Sequence, residues 1–334
     1  MSVHDLTFDA MGCEVRLIIG EPLPGSPPAS FAAEQGRLFI AGFDAALSRF
    51  RPDSELTALN EDPRPEVPSS ELLRRAVRAG LWAAERTGGL VDPTLLGAIM
   101  AAGYSESRAG LDPVPLADAL ALAPRRRAAR PRAEGEWRRI EVDDEAGTIR
   151  RPPGVGFDTG GSGKGLAADM LAERLRGYSR YVVDCGGDVR IGGFATQLDP
   201  FAVHARHPMD GEAAAIFYVS AGGIASSGVD TRVWRRDDGG FAHHLLDPST
   251  GEPAWTGLVG VTALGRDALE AETLSKAALL SGPEGGRRLL AAGGGMLVAE
   301  TGEVELLGPV SAKLIGRRSV FVPQRTTPVA EVAP

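Results

Sequence analysis

The sequence predicts an α+β fold in which mixed, mostly antiparallel sheets pack against helices. Short alternating or apolar runs in the second half are separated by Gly-rich turns, which is typical of antiparallel strands. The predicted helices do not alternate regularly with strands, so a doubly wound parallel sheet is not expected. With 334 residues, of which 43% are hydrophobic, the chain is long enough for one large core or two coupled cores.

Three elements are predicted in the first half of the chain. Residues Cys13–Ile19 alternate and then run apolar, as a strand would, and a Pro-rich connection follows them. Apolar residues at helical spacing predict a helix over Phe31–Phe50. A second amphipathic helix is predicted over Glu71–Thr87, because serine hydroxyls precede it as caps and Gly88-Gly89 ends it.

The second half contains four short predicted strands and three predicted helices. The strands are Tyr181–Asp184, Asp188–Ile191, Phe201–Ala205 and Ala214–Ser220, with a hairpin turn at Pro208–Gly211. The helices are Gly165–Arg176, Ala268–Leu280 and Pro283–Ala292. Between the two halves, residues 123–136 are rich in arginine and proline and lack a hydrophobic period, which predicts an exposed loop.

Charge and composition argue against several classes of function. The formal net charge is −8, so non-specific binding to nucleic acid or to an acidic membrane surface is not expected. No apolar run approaches membrane-spanning length, and the N-terminus lacks the features of a signal peptide. Cys13 and Cys185 lie far apart and form no CxxC pair, which fits a reducing compartment. We therefore expect a soluble, cytoplasmic protein without membrane insertion.

The most informative segment is FDTGGSGKGLAAD, residues 157–169. Clustered glycines let backbone N–H groups approach a phosphate, and the N-terminus of the following helix favours negative charge. The segment is not a Walker A loop, because Asp158 stands where the first glycine belongs and Gly165 where the magnesium-binding Ser or Thr belongs. Taken alone, it is better interpreted as a turn that packs a helix onto a sheet, with Lys164 in solvent.

Six further motifs accompany this loop in a specific order. They are MGC at residues 11–13, SRFRPDSELTALN at 48–60, VDPTLLGAI at 91–99, VDCGGDVRIGG at 183–193, SSGVDTR at 226–232 and HHLLDPSTGEP at 243–253. Each motif is weak alone, but the ordered series closely resembles the ApbE flavin transferases from near residue 7 to near residue 320. Two positions depart from the family patterns: Cys13 replaces the threonine of MGT, and Asp184 replaces the asparagine of N-x-G-G-D.

The resemblance implies a fold, an activity and a partner. It implies one ApbE-like domain over residues 1–322, with an FAD cleft between two intertwined sub-domains. The implied activity is transfer of FMN from FAD to a Ser or Thr of an acceptor flavoprotein with an FMN-binding domain, with release of AMP. Two alternatives stay open, namely an FAD-binding protein with weak or no transfer and an FAD pyrophosphatase. By composition, the tail over residues 323–334 is predicted to be disordered.

The resemblance also assigns residues to the FAD site. They are Met11, Glu55, Leu56, Asn60, Asp158, Gly160, Gly161, Lys164, Gly186, Gly187, Asp188, Ser227, Gly228, Arg232, His244 and Lys276. Chemistry agrees with this set, because a ligand with two phosphates, a heteroaromatic ring and polar edges requires glycine backbone, a few cations and placed polar groups.

His244 and Asp247 are the candidate catalytic residues. The transfer implied above requires an acceptor hydroxyl to lose a proton, and imidazole titrates near neutral pH, so His244 is the candidate general base. A histidine before an apolar pair is also often a structural residue. For Asp247 two roles stay open: it orients His244, or it caps the Pro248–Gly251 turn.

The metal site that the resemblance implies is altered in this sequence. In the family, an Asp and a Thr of a late helix bind magnesium together with a backbone carbonyl of the glycine-rich loop. Here the corresponding positions are Glu272, Lys276 and the carbonyl of Gly163. A protonated lysine cannot ligate magnesium and repels a divalent cation. Either Glu272 and Lys276 form an exposed (i, i+4) ion pair, or the Lys276 ammonium takes the place of the ion.

Overall fold

The strands form one large sheet and three small ones. The computed structural model describes residues 3–315 and 319–321. The strands within these residues are β1 (His4–Ala10), β2 (Cys13–Ile19), β3 (Glu66–Pro68), β4 (Glu141–Asp143), β5 (Thr148–Arg150), β6 (Tyr181–Cys185), β7 (Asp188–Gly192), β8 (Phe201–Arg206), β9 (Ala213–Val219), β10 (Gly222–Gly228), β11 (Val233–Arg235), β12 (Phe241–His243), β13 (Leu258–Gly265), β14 (Gly295–Ala299), β15 (Val304–Leu307), β16 (Ala312–Leu314) and β17 (Ser319–Phe321). The large sheet has the order β1-β2-β6-β7-β10-β13-β14-β15-β17. Its described strand pairs are antiparallel except β15 with β17, so the predicted class of mixed, mostly antiparallel sheet is confirmed.

Helices within the same residues pack against these sheets. They are α1 (Ala29–Leu47), α2 (Glu55–Glu61), α3 (Glu71–Arg86), α4 (Leu96–Ala101), α5 (Leu116–Leu122), α6 (Gly163–Arg174), α7 (Ala268–Leu280) and α8 (Gly282–Leu290). The predicted serine cap of α3 is confirmed, since the Ser70 hydroxyl accepts a hydrogen bond from the N–H of Leu73 at 3.1 Å. The predicted helix over Phe31–Phe50 ends early, because Ser48 adopts an extended conformation after Leu47. The helix predicted from Gly165 begins at Gly163 instead.

The arginine-rich segment 123–136 is a largely exposed, irregular loop, as predicted. Its backbone is nevertheless anchored to the protein. The N–H of Arg127 donates to the carbonyl of Trp255 at 3.0 Å, and that of Ala129 donates to the carbonyl of Leu280 at 2.8 Å. Of the helices in the described part of the chain, none combines the length and apolar character that crossing a bilayer requires. The tail predicted over residues 323–334 lies outside the described residues.

Two tight turns meet at one end of the large sheet. Met11-Gly12 joins β1 to β2, and Gly186-Gly187 joins β6 to β7. All four residues have positive φ, as type I′ hairpin turns require, and three of the four are glycines. Because β2 and β6 are antiparallel neighbours with Val15 opposite Cys185, the two turns lie side by side.

Helices α6 and α7 cap each other with carboxylates. Glu272 of α7 accepts a hydrogen bond from the N–H of Gly165 at 2.8 Å, and Asp169 of α6 accepts bonds from Ala268 and Leu269 at 2.9 Å each. The close approach requires a glycine, since a Cβ at Gly165 would lie 2.7 Å from the carbonyl oxygen of Ala268. Each carboxylate satisfies N–H groups that a helix N-terminus leaves without partners, and it interacts favourably with the helix dipole.

This reciprocal capping predicts a specific pH dependence of stability. Burial raises the pKa of the Asp169 carboxyl to about 6, above its ordinary value of 3.8, despite the two backbone donors. The carboxyl therefore favours the folded state most when protonated, and that contribution is lost as the pH rises through the folded pKa. Asp169→Asn removes the titration, so we expect the stability of the wild type relative to the variant to fall by up to ~3 kcal/mol between about pH 4 and about pH 7. Urea denaturation across this range measures the difference, and a constant difference would contradict the prediction.

Candidate functional site

A cleft of about 990 Å³ opens at the end of the sheet where the two turns meet. Its charged lining departs from the acidic balance of the whole chain. Its basic side chains are Arg16, Arg49, Arg51, Lys164, Arg206, Arg232 and Lys276, against the acidic Glu14, Asp44, Asp92, Asp158, Asp184 and Asp230. The cleft lining is thus close to balanced in charge, with seven basic and six acidic side chains, whereas the whole chain has a net charge of −8.

Most of the sequence-predicted binding residues line this cleft. They are Met11, Asp158, Gly160, Gly161, Lys164, Gly186, Gly187, Ser227, Gly228, Arg232, His244 and Lys276, and Gly163 of the predicted metal site lines the cleft as well. They come from segments far apart in sequence, and the hairpin turns, the end of β10 and the adjoining helices α6 and α7 bring them together.

Three residues of the motif at 48–60 that were predicted for the FAD site, Glu55, Leu56 and Asn60, do not line the cleft. The Glu55 carboxylate accepts hydrogen bonds from the backbone and hydroxyl of Ser70, and Leu56 is fully buried in the core. Asn60 pairs with the backbone of Phe157 in both directions, donating at 2.9 Å and accepting at 2.7 Å. This pairing fixes the chain just before the glycine-rich loop begins, so Asn60 supports the cleft without lining it.

The glycine-rich loop passes along the cleft into the N-terminus of α6. Ser162 precedes the helix without forming a side-chain cap, and the first turn of the helix contains no acidic residue. The Oδ1 atom of Asp158 accepts a hydrogen bond from the N–H of Gly160 at 3.0 Å, which holds the loop in shape. The N–H groups of Gly163 and Gly165 in this first turn already donate to the carbonyl of Thr159 and to Glu272. The glycine backbone of the loop before the helix is the part that is suited to phosphate oxygens.

Lys164 is held in the cleft by a buried carboxylate. Its Nζ lies 2.6 Å from Oδ2 of Asp188, whose side chain is 1% exposed, so Asp188 lies behind the cleft lining. Burial alone would lower the pKa of Lys164, but Asp188 and Glu272 more than offset this and raise it above its ordinary value. The ammonium is therefore charged at neutral pH. The Asp188 carboxylate holds the ammonium in place.

The two sequence departures are accommodated without loss of the turn. Asp184, where the family has asparagine, accepts a hydrogen bond from the N–H of Gly187 at 2.7 Å. Burial raises the pKa of this carboxyl above its ordinary value. Cys13 contacts the same turn, because a Cβ on Gly186 would lie 2.7 Å from its sulfur. Burial raises the pKa of the Cys13 thiol to about 11, so it stays protonated at neutral pH.

His244 lines the cleft beside three cations. Burial lowers its pKa well below the ordinary value, and the charges of His243, Arg232, Lys276 and Lys164 lower it further. The imidazole is therefore neutral at neutral pH and able to accept a proton. Its Nδ1 is buried and has no hydrogen-bond partner among the described residues.

Asp247 caps a turn and does not orient His244. Its Oδ1 accepts hydrogen bonds from the backbone and hydroxyl of Ser249, at 3.0 and 2.7 Å, and from the N–H of Arg130 at 3.1 Å. The side chain is buried and lies outside the cleft lining. Of the two roles that the sequence left open, the structure supports the cap, and the prediction of a catalytic Asp247 is corrected accordingly.

One wall of the cleft was not predicted from the sequence. The Arg49 guanidinium lies 4.1 Å from the ring centroid of Phe50 and 4.6 Å from that of Tyr104. Arg232 donates a hydrogen bond to the Tyr104 hydroxyl at 2.6 Å, and Tyr104 packs against Trp234 with centroids 5.4 Å apart. Stacked aromatic and guanidinium groups suit a planar heteroaromatic ligand. Arg49 and Phe50 fall inside the motif at residues 48–60, but Tyr104 belongs to none of the motifs.

The residues at the implied magnesium site do not fit a divalent cation. The Lys276 ammonium lies 2.7 Å from Oε1 of Glu272, while Oε2 of Glu272 accepts the N–H of Gly165. Both carboxylate oxygens are thus engaged, and the ammonium lies beside the carboxylate. Within the described part of the chain, no group of three or more His, Cys, Asp or Glu side chains could hold a metal ion. Glu272, which was predicted as a metal ligand, therefore has no free carboxylate oxygen to offer an ion. The exposed-pair interpretation is wrong, because Glu272 is 0% and Lys276 8% exposed.

Comparison with known proteins agrees with these features. A model of the ApbE family matches residues 11–298. The FAD:protein FMN transferase of Klebsiella pneumoniae is 31% identical over 250 residues, covering 72% of this chain and 68% of that protein. The enzyme of the same name from Salmonella typhimurium is 30% identical over 237 residues, covering 69% and 65%.

Solved structures show the same fold. The ApbE protein of Thermotoga maritima superposes with a TM-score of 0.73 at 25% identity, covering 92% of this chain and 97% of that chain. The flavin transferase ApbE of Vibrio cholerae superposes with a TM-score of 0.70 at 21% identity, over the same shares of each chain. Together with the family model, which covers more than half of the chain, these likenesses show that the chain belongs to the ApbE family.

Proposed function

We propose that this protein is an FAD:protein FMN transferase, which moves FMN from FAD to a Ser or Thr hydroxyl of an acceptor flavoprotein. The observation that carries the proposal is a neutral His244 beside Arg232, Lys276 and Lys164 in a cleft floored by glycine backbone. A diphosphate requires such cations and backbone donors, and a hydroxyl nucleophile requires a base next to them. The names of the two relatives described above support the same activity.

In the proposed reaction, the acceptor hydroxyl attacks the phosphorus on the riboflavin side of the diphosphate. A new phosphoester bond forms between the acceptor oxygen and FMN, and the bond to the phosphate of AMP breaks. The hydroxyl proton passes to His244, and AMP leaves with the bridging oxygen. Lys164, Arg232 and Lys276 stabilise the charge on the phosphate oxygens, because phosphoryl transfer depends mainly on positioning and charge neutralisation.

Binding of FAD tunes the base in this scheme. The positive charges around His244 lower its pKa in the free protein. A diphosphate bound among Arg232, Lys276 and Lys164 compensates those charges, so the pKa of His244 rises towards neutrality when the substrate is present. A base whose pKa approaches the working pH transfers protons most efficiently.

The acceptor is proposed to be a flavoprotein with an FMN-binding domain. Cys13 and Cys185 are both free thiols, which fits a reducing compartment such as the cytoplasm. The names of the relatives favour transfer over the two alternatives, FAD binding without transfer and FAD pyrophosphatase activity.

The proposed function is tested by incubating the protein with FAD and a flavoprotein acceptor domain. We expect the acceptor to gain the mass of one FMN at a Ser or Thr, measured by mass spectrometry, with release of an equal amount of AMP. Free FMN and AMP without a labelled acceptor would indicate a pyrophosphatase. Bound FAD that is neither cleaved nor transferred would indicate a binding protein.

A further inference from the structure

The buried pair of Glu272 and Lys276 lies next to the cleft, and only its ammonium end lines the cleft. Glu272 is fully buried and lies outside the cleft lining, whereas Lys276 lines the cleft. The pair is joined at 2.7 Å, and Gly165 of α6 donates to the other carboxylate oxygen at 2.8 Å. Glu272 therefore holds the ammonium in place from behind, while a fixed backbone contact holds Glu272.

Lysine is rare in this chain, which makes its placement informative. The 36 basic residues include only three lysines, at positions 164, 276 and 313. Two of the three line the cleft, and the third is exposed on β16. Elsewhere the chain uses arginine, whose planar guanidinium is larger than an ammonium. A compact point charge on a flexible stem is the closest side-chain substitute for a small cation.

Two ion pairs and one further cation lie in this region. Lys164 pairs with Asp188 at 2.6 Å, and Lys276 pairs with Glu272 at 2.7 Å. Arg232 adds a positive charge that neither Asp188 nor Glu272 pairs with. Its guanidinium donates to the Tyr104 hydroxyl at 2.6 Å and to the carbonyl of Gly12 at 3.3 Å. A divalent cation added to this set would face two ammonium groups and would have no free carboxylate oxygen of Glu272.

We propose that the Lys276 ammonium acts as an internal cation in this protein, so that FAD binding and FMN transfer need no divalent metal ion. The inference rests on the proposed function. Lys276 contributes its charge to the diphosphate directly, and Glu272 acts as a positioning residue through it. Binding of the substrate then depends on the side chain at position 276 and not on magnesium.

The test measures FAD affinity by calorimetry on the full protein, once in EDTA and once with added magnesium chloride, with metal content measured by mass spectrometry. We expect equal affinity in both conditions and no bound metal. Binding that requires magnesium overturns this inference but leaves the proposed function standing. Binding in neither condition overturns both.

Substitutions test the role of the lysine itself. Lys276→Met is expected to weaken FAD binding about 10- to 100-fold, the scale of a lost charge-assisted hydrogen bond. The matched control is Lys313→Met, which removes a lysine from the exposed face of β16 and is expected to bind FAD normally. Unchanged affinity in Lys276→Met overturns the inference.

Two double variants keep the test decisive if Lys276→Met does not fold. Glu272→Gln with Lys276→Met removes both buried charges together, and weakened FAD binding is again expected. Glu272→Asp with Lys276→Thr supplies two oxygen ligands near the carbonyl of Gly163, so FAD binding should become dependent on magnesium. Normal binding by the first double variant, or indifference of the second to magnesium, overturns the inference.

Discussion

His244→Ala should lower the rate of FMN transfer by about 10²- to 10⁴-fold, the scale expected when a general base is removed. FAD affinity should change little, because the cations and the glycine backbone that hold the diphosphate remain. His244 has a pKa well below its ordinary value, so the wild-type imidazole is already neutral at neutral pH. The loss in rate therefore reflects a missing proton acceptor and not a missing positive charge.

The measurement combines single-turnover transfer to an acceptor domain with calorimetric titration of FAD. The matched control is His4→Ala, because His4 begins β1 at the opposite end from the Met11-Gly12 turn, about 20 Å along the strand. The acidic limb of kcat/KM should lie below the ordinary imidazole pKa and should disappear in His244→Ala. Transfer at the wild-type rate by the variant would reduce His244 to a structural residue.

The ordered motifs were sufficient to predict the ApbE fold and most of the cleft. The glycine-rich loop, the Gly186-Gly187 turn and Arg232 can be predicted from the sequence, because paired glycines favour tight turns with positive φ and a cation near exposed backbone N–H groups favours an anion. The motifs also placed Asn60 and Asp247 in the site, although neither residue lines the cleft. Both lie within motifs, but their side chains bond to backbone groups that shape the site, and a motif does not separate supporting residues from contacting ones.

Tertiary contacts decide what the sequence could not. Tyr104 lies within none of the motifs, and only the fold brings it against Arg49 and Arg232. The spacing of Glu272 and Lys276 predicts an ion pair, but not its burial. Burial follows from the approach of α6 and α7 at Gly165, a contact between residues about 100 positions apart in sequence.

Because the Glu272–Lys276 pair is buried, removing one partner should change the stability of the protein strongly. Lys276→Met leaves the Glu272 carboxylate buried without its ammonium partner, so we expect the free energy of unfolding to fall by about 3–5 kcal/mol. Burial raises the pKa of Glu272, and Lys276 partly offsets this. In the variant the pKa rises further. The destabilisation should therefore be smaller at about pH 5 and larger at about pH 8, because a carboxyl with a raised folded pKa loses its contribution as the pH rises.

Urea denaturation at both pH values measures this effect, and a second substitution separates charge from packing. Adding Glu272→Gln to Lys276→Met removes the unpaired charge and keeps an oxygen that accepts the N–H of Gly165, so most of the lost stability should return and the pH dependence should vanish. Lys313→Met should stay within about 0.5 kcal/mol of the wild type, as expected for an exposed side chain. The prediction is contradicted if Lys276→Met loses no more stability than Lys313→Met at both pH values. Solvent would then screen the Glu272 carboxylate, and the buried pair would contribute little to the stability of the α6–α7 contact.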